Sequence, residues 1–129
     1  VSVEISPRMM RDLSKLSEFR PGLIPVLGDA RKSSIISPYL RSKVDWIHQD
    51  ISVADQTKSF LKISEIFLKD GGIGLLSLKA ASERWVEGGD DSRFELAKEL
   101  IESNSRLTLI DNVDISYYEG QHRVFIVKK

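Results

Sequence analysis

Three acidic residues stand at the ends of apolar runs: Glu4 after VSV, Asp29 after LIPVLG and Asp50 after VDWIHQ. A lysine, Lys79, closes a fourth run, IGLLSL. In open α/β sheets, ligands bind in the crevice beyond the carboxyl ends of the strands. A carboxylate at the end of a second strand commonly accepts hydrogen bonds from a ribose diol, and one on a neighbouring strand can hold an adenine amino group. Three acids and a lysine brought to one sheet edge therefore predict a nucleoside-shaped site. A strand-end acid can also merely cap the helix that follows it, which explains any one of the three better than all three together.

To share an edge these side chains need strands alternating with helices. In VDWIHQDISVADQ, Val44, Trp46 and Ile47 suit a buried strand that stops at Asp50. Asp55 then opens a helix in which Phe60, Ile63, Phe67 and Leu61, Ile66 recur at helical spacing, with Gly71 and Gly72 placed to close it. Upstream, residues 1–5 read as a short strand. Ser6 and Pro7 start a helix to residue 19 whose Met9, Met10, Leu13 and Leu16 are expected in the core. Arg20-Pro21-Gly22 breaks that helix, and residues 23–27 form a strand that Pro25 confines to a sheet edge. A short helix around residues 35–40 is interrupted by Pro38. Downstream, residues 73–78 form a strongly apolar strand, and residues 80–89 a loop of mobile composition. Asp90 and Asp91 lead an amphipathic helix to about residue 103, and residues 106–115 and 123–127 form an antiparallel hairpin. The expected fold is α/β: a mostly parallel sheet with helices on both faces and an antiparallel C-terminal hairpin.

The 129 residues, 41% of them hydrophobic, suffice for one domain with a core over residues 1–129. No stretch reaches the roughly 18–20 apolar residues that cross a bilayer, and VSVEISPRMM lacks a signal pattern, so no membrane partner is expected. With no cysteine, disulfides, thiolate nucleophiles and thiolate metal sites are excluded. His48 and His122 are too few and too far apart for a zinc cluster, and no metal is expected. His48, inside its strand, reads as structural. Nineteen acidic residues balance nineteen basic ones, which leaves no whole-chain basic field for autonomous nucleic-acid binding. The bases nearest the expected edge are Arg31, Lys32, Arg84 and Arg123, the candidate RNA contacts.

The segments VSVEISPRMMRDL, IPVLGDAR, VDWIHQDISVADQ, FLKDGGIGLLSLKA and VDISYYEGQHRVFIV, in this order and spacing, resemble the fibrillarin family, in particular the archaeal fibrillarin-like RNA 2′-O-methyltransferases. The resemblance covers nearly the whole chain. It implies the S-adenosylmethionine-dependent methyltransferase (Rossmann-like) fold, with S-adenosylmethionine as cofactor. It implies methylation of ribose 2′-hydroxyls in pre-rRNA or tRNA, directed by box C/D guide RNA paired to target RNA. The particle would also contain a Nop-type scaffold protein and a kink-turn-binding ribosomal-type protein. The expected location is the cytoplasm of an archaeal cell, or the nucleolus of a eukaryotic one.

Carried over residue by residue, the resemblance puts Glu4 on the cofactor ribose with Ile5 beside it, and Asp29 and Ala30 at the adenine. Asp50, Ile51, Ser52 and Val53 would form the wall near the methionine moiety. Asp50, Lys79 and His122 match three positions of a four-residue catalytic group. The fourth, a lysine, is expected upstream of Val1, together with a glycine-rich turn and the first, central strand, so residues 1–129 are expected to be the C-terminal two thirds of the family's methyltransferase catalytic domain. Val53-Ala54 departs from the family's glutamine-proline and removes a polar side chain from the cofactor wall. Methyl transfer from a sulfonium is an in-line displacement, so the enzyme aligns the 2′-oxygen and helps remove its proton. An opposite charge favours the charged form, which suits Lys79 beside Asp50 to orient the hydroxyl and stabilise developing alkoxide. Two other readings remain at this point: a catalytically silent subunit that keeps the fold to dock a scaffold, and a different nucleotide-binding α/β protein.

Overall fold

The computed structural model describes residues 1–129, which divide into two compact units, Val1–Ser42 and Lys43–Lys129. In the first, β1 (Ser2–Glu4), α1 (Pro7–Phe19) and β2 (Pro25–Leu27) form a parallel strand pair joined by a helix, with Glu4 opposite Leu27. The Ser6 hydroxyl accepts from the Met9 amide, and Pro7, which has no N–H to satisfy, takes the first turn. Pro25 does lie in an edge strand, since β2 pairs with β1 alone. A short helix α2 (Ser33–Ile36) and a 3-10 turn (Ser37–Tyr39) holding Pro38 complete the unit.

The apolar stripe of α1 does not form the expected core. None of Met9, Met10, Leu13 and Leu16 is buried, Met9 being 53% and Leu16 44% exposed. A two-stranded sheet offers too little area to cover a helix face, and Val26 is the one fully buried apolar residue of this unit.

The second unit carries the core. Its strands β3 (Val44–Gln49), β4 (Leu68–Lys79), β5 (Thr108–Asp114) and β6 (His122–Lys128) form a sheet of order β3-β4-β6-β5. The β3–β4 pairing is parallel, whereas β6 runs antiparallel to both neighbours and makes the anticipated hairpin with β5. Two of the four ladders are parallel and two antiparallel, and the strands fall into two sheets, with β3 paired only to β4.

Helices α3 (Gln56–Phe67) and α4 (Gly89–Glu102) both pack on the sheet face bearing Leu76, Leu78, Phe125 and Val127, through Phe60, Phe94, Ala97 and Ile101. Helices on both faces were expected. The topology explains the difference: β3 to β4 and β4 to β5 step the same way across the sheet, so crossovers of one hand place both helices on one side. The opposite face shows Trp46, 57% exposed, and His48, whose Nε2 lies 2.8 Å from Ser77 Oγ.

The glycines after α3 do not close it. The helix ends at Phe67 and passes straight into β4, and its last carbonyls, of Glu65 and Leu68, accept from Lys129 Nζ. Between Leu68, opposite Val44, and Ile73, opposite Trp46, residues 69–72 loop out of register, and Gly71 supplies the positive φ of 81° this requires. No helix is long and apolar enough to cross a membrane.

Candidate active site

In the first unit, the parallel pairing brings Glu4 and Asp29 to one end of β1 and β2, and the Gly28 amide donates to the Glu4 carbonyl at 2.9 Å. Glu4 Oε1 accepts from the Ser6 amide at 2.7 Å and so does help turn the chain into α1. Its Oε2 accepts no protein hydrogen bond. Ile5 follows, 64% exposed. Asp29 is more committed: Arg31 donates Nε to Oδ1 at 2.9 Å and Nη2 to Oδ2 at 2.8 Å, and the Arg31 amide adds a bond to Oδ1 at 3.0 Å. Ala30 is half-buried between them in sequence, and Lys32 is exposed.

This guanidinium fork holds the Asp29 carboxyl at a pKa of about 2, against an ordinary 3.8. A depressed carboxyl contributes stability that is present above pH 3.8 and lost as pH falls towards 2. Arg31→Ala is therefore expected to move the Asp29 titration midpoint up towards 3.8, measured by carbon NMR of the side-chain carboxyl. A midpoint unchanged by the substitution would show that the fork is not what holds it down.

In the second unit, Asp50, Lys79 and His122 lie at one end of the sheet. Asp50 is the residue after the last β3–β4 pair, Gln49 with Leu76, and its carboxylate is exposed and unbonded. Ile51, Ser52 and Val53 lead from it towards α3, Ser52 exposed and the other two half-buried. Lys79 and His122 are directly opposed in the β4–β6 ladder. His122 is 8% exposed, and its Nδ1 lies 2.8 Å from the Gly120 carbonyl. A carbonyl only accepts, so Nδ1 carries the hydrogen, and a neutral ring then leaves the Nε2 lone pair free to accept.

Two residues overlooked in the sequence hold this end together. Gln56, fully buried, faces the backbone of Lys79: its Nε2 donates to the Lys79 carbonyl at 3.0 Å and its Oε1 accepts from the Lys79 amide at 3.3 Å. Its signal was a polar residue on the stripe of Phe60, Ile63 and Phe67. Glu83 accepts from the Asp55 amide at 2.7 Å and the Thr57 amide at 3.4 Å, and so caps α3 from a distant loop. Asp55 cannot cap with its own side chain from its left-handed conformation, φ 61°. The loop read as mobile is tied down here, since Arg84 Nη2 also bonds Asp55 Oδ2 at 2.6 Å.

The four expected RNA contacts fare unevenly. Arg31 is bound to Asp29 and Arg84 to Asp55. Arg123 is not a surface cation: its guanidinium carbon lies 4.6 Å from the Phe94 ring centroid, with Asp114 at 3.8 Å and Glu95 at 4.0 Å. Its strand position puts it on the helix-covered face, which the sequence pattern did not reveal. Lys32 alone of the four makes no side-chain ion pair.

Parallel strands linked by helices and finished by an antiparallel hairpin, with acids at the strand ends, define a protein of the S-adenosylmethionine-dependent methyltransferase fold. Within that class the chain belongs to the fibrillarin family, whose model, described as Fibrillarin, matches residues 1–129. A fibrillarin-like rRNA/tRNA 2′-O-methyltransferase of Methanococcus voltae is 35% identical over 127 residues, covering 97% of this chain and 54% of the relative. Among solved structures, one from a fibrillarin/Nop5p complex aligns with a TM-score of 0.88 at 26% identity, over 98% of this chain and 59% of that one. Aeropyrum pernix fibrillarin, crystallised with natively bound S-adenosyl-L-methionine, aligns at 0.79 with 27% identity, over 97% and 53%. The chain spans about half the length of the curated relatives it matches.

Proposed function

We propose that residues 1–129 are part of one catalytic domain that methylates ribose 2′-hydroxyls of rRNA or tRNA, using S-adenosylmethionine and positioned by box C/D guide RNA. The observation that carries this reading is the opposed pair Lys79 and His122 at the same end of the sheet as the open carboxylate of Asp50, with Nδ1 of His122 held by Gly120 so that Nε2 can accept. Lys79 orients the 2′-hydroxyl and stabilises negative charge as it develops on oxygen, and His122 Nε2 accepts a hydrogen bond from the same group. Asp50 makes no ion pair with Lys79 and contributes only its negative charge at the same end of the sheet.

The donor set fits the cofactor in part. Taken unit by unit, Glu4 of Val1–Ser42 keeps Oε2 for a ribose diol, and within Lys43–Lys129 Asp50 with Ile51, Ser52 and Val53 offers a wall for the methionine moiety. When bound, S-adenosylmethionine supplies an electrophilic methyl group. Asp29 reaches an adenine amino group only by sharing oxygens that Arg31 already uses. That commitment, with Val53-Ala54 on the cofactor wall, favours a second reading, a silent subunit that docks a scaffold. Calorimetric titration with S-adenosylmethionine separates the two, because a silent subunit need not bind it.

Because the chain is neutral overall and Arg31, Arg84 and Arg123 are ion-paired, substrate placement falls to guide pairing and to partners. The partners proposed are a Nop-type scaffold and a kink-turn-binding protein, at the place of RNA maturation: the cytoplasm of an archaeal cell or the nucleolus of a eukaryotic one. The test supplies the full-length subunit with guide RNA, target RNA, both proteins and methyl-labelled S-adenosylmethionine. Label on the guide-selected 2′-oxygen is expected. No label anywhere, or efficient site-specific labelling of naked RNA by the subunit alone at near-physiological salt, would overturn the reading.

A further inference from the structure

We infer that Gln56 is the positioning residue for Lys79, an inference that rests on the methyltransferase reading above. β3 stops pairing with β4 at Gln49 and Leu76, so the β3-facing edge of β4 has no strand beside it where Lys79 stands. The Gln56 carboxamide fills that gap as a surrogate peptide group: it donates to the Lys79 carbonyl and accepts from the Lys79 amide, while His122 pairs the other edge. The backbone that carries it is itself anchored, since the main-chain carbonyl of Gln56 accepts from Gln49 Nε2 at 2.9 Å, and Gln49 Oε1 lies 3.4 Å from Ser59 Oγ. Gln49, Gln56 and Ser59 are thus a hydrogen-bonded polar inset between the helix and the sheet. Full burial without any catalytic contact of its own is costly unless every polar atom is used, and here both ends of the amide are used on one backbone unit. That unit is the one from which the Lys79 side chain projects.

Two substitutions separate positioning from folding. Leucine keeps the bulk but neither bond. Glutamate keeps the shape, but an ionised carboxylate opposes the Lys79 carbonyl and only the protonated acid restores both bonds. Burial favours the protonated form, so Gln56→Glu transfer, expressed relative to wild type, is highest at low pH and falls as pH rises. In the assembled full-length subunit, Gln56→Leu is expected to lower kcat about 10- to 100-fold per cofactor-binding site, with KM for S-adenosylmethionine changed less than about threefold. Hydrogen exchange at the Lys79 amide should speed up in Gln56→Leu, while exchange at Leu76 and Phe125 stays as in wild type. Wild-type transfer with an unchanged Gln56→Leu rate, or a flat Gln56→Glu ratio across pH, overturns this inference alone. Absence of transfer by wild type overturns the methyltransferase reading and takes this role with it.

Discussion

Lys79→Ala in the assembled full-length subunit is expected to slow guide-directed methyl transfer about 100- to 1,000-fold, the scale seen when one donor aimed at developing negative charge is removed. The same change should alter stability by no more than about 0.5 kcal/mol, because the bonds of Lys79 to Gln56 belong to its backbone. Asp50→Ala should behave alike, since its carboxylate is exposed and bonds nothing in the fold. Single-turnover rates with labelled cofactor, read beside urea unfolding curves, give both quantities. Transfer at the normal rate by either variant withdraws that residue's role.

The second large effect is on stability. Phe60 is fully buried where α3 crosses β4, and its ring occupies the space that a side chain at residue 74 would otherwise fill. A Cβ added at Gly74 would stand 2.9 Å from Phe60 Cζ and 3.0 Å from Val127 Cγ2. Phe60→Ala therefore leaves a cavity against a residue with no side chain to collapse into it, and should cost about 3–5 kcal/mol. Gly74→Ala, an overpacking change, should cost about 1–3 kcal/mol, and less when Phe60 is already leucine. Chemical denaturation followed by circular dichroism measures all of these. A loss below about 1 kcal/mol for Phe60→Ala would mean that the ring is not part of the core.

Helix starts were the most legible features, because Ser6-Pro7 and Asp90-Asp91 announce themselves through local chemistry. The strand-end acids and the Lys79–His122 pair were placed by periodicity and family likeness, and the ladder register agrees with that placement. What escaped the reading was non-local. The glycine pair after Phe67 looks like a helix stop, but the stop is made by Lys129, sixty-one residues beyond Leu68 in sequence. Asp55 looks like a helix cap, yet Glu83 does the capping. Met9 and Leu16 have a helical period that demands a partner surface without saying whether these residues provide one. Arg123 looked like a free base because its strand's inner face cannot be told from the outer one until α4 is seated over it.

The position of β6 has a consequence for how the molecule is made. Synthesis delivers β3, β4 and β5 before β6, yet β6 is the strand that joins β4 to β5 and brings Phe125 and Val127 into the core. Until it has left the ribosome, β5 has no neighbour in the sheet, and α4 has neither the apolar floor of Phe125 nor the guanidinium stacked on Phe94. The Lys43–Lys129 unit thus cannot be assembled piece by piece as it emerges; it closes after β6 is delivered. A nascent chain stopped short of His122 would carry almost all of the apolar surface and none of the strand that hides it, which makes such fragments ready clients for chaperones and proteases.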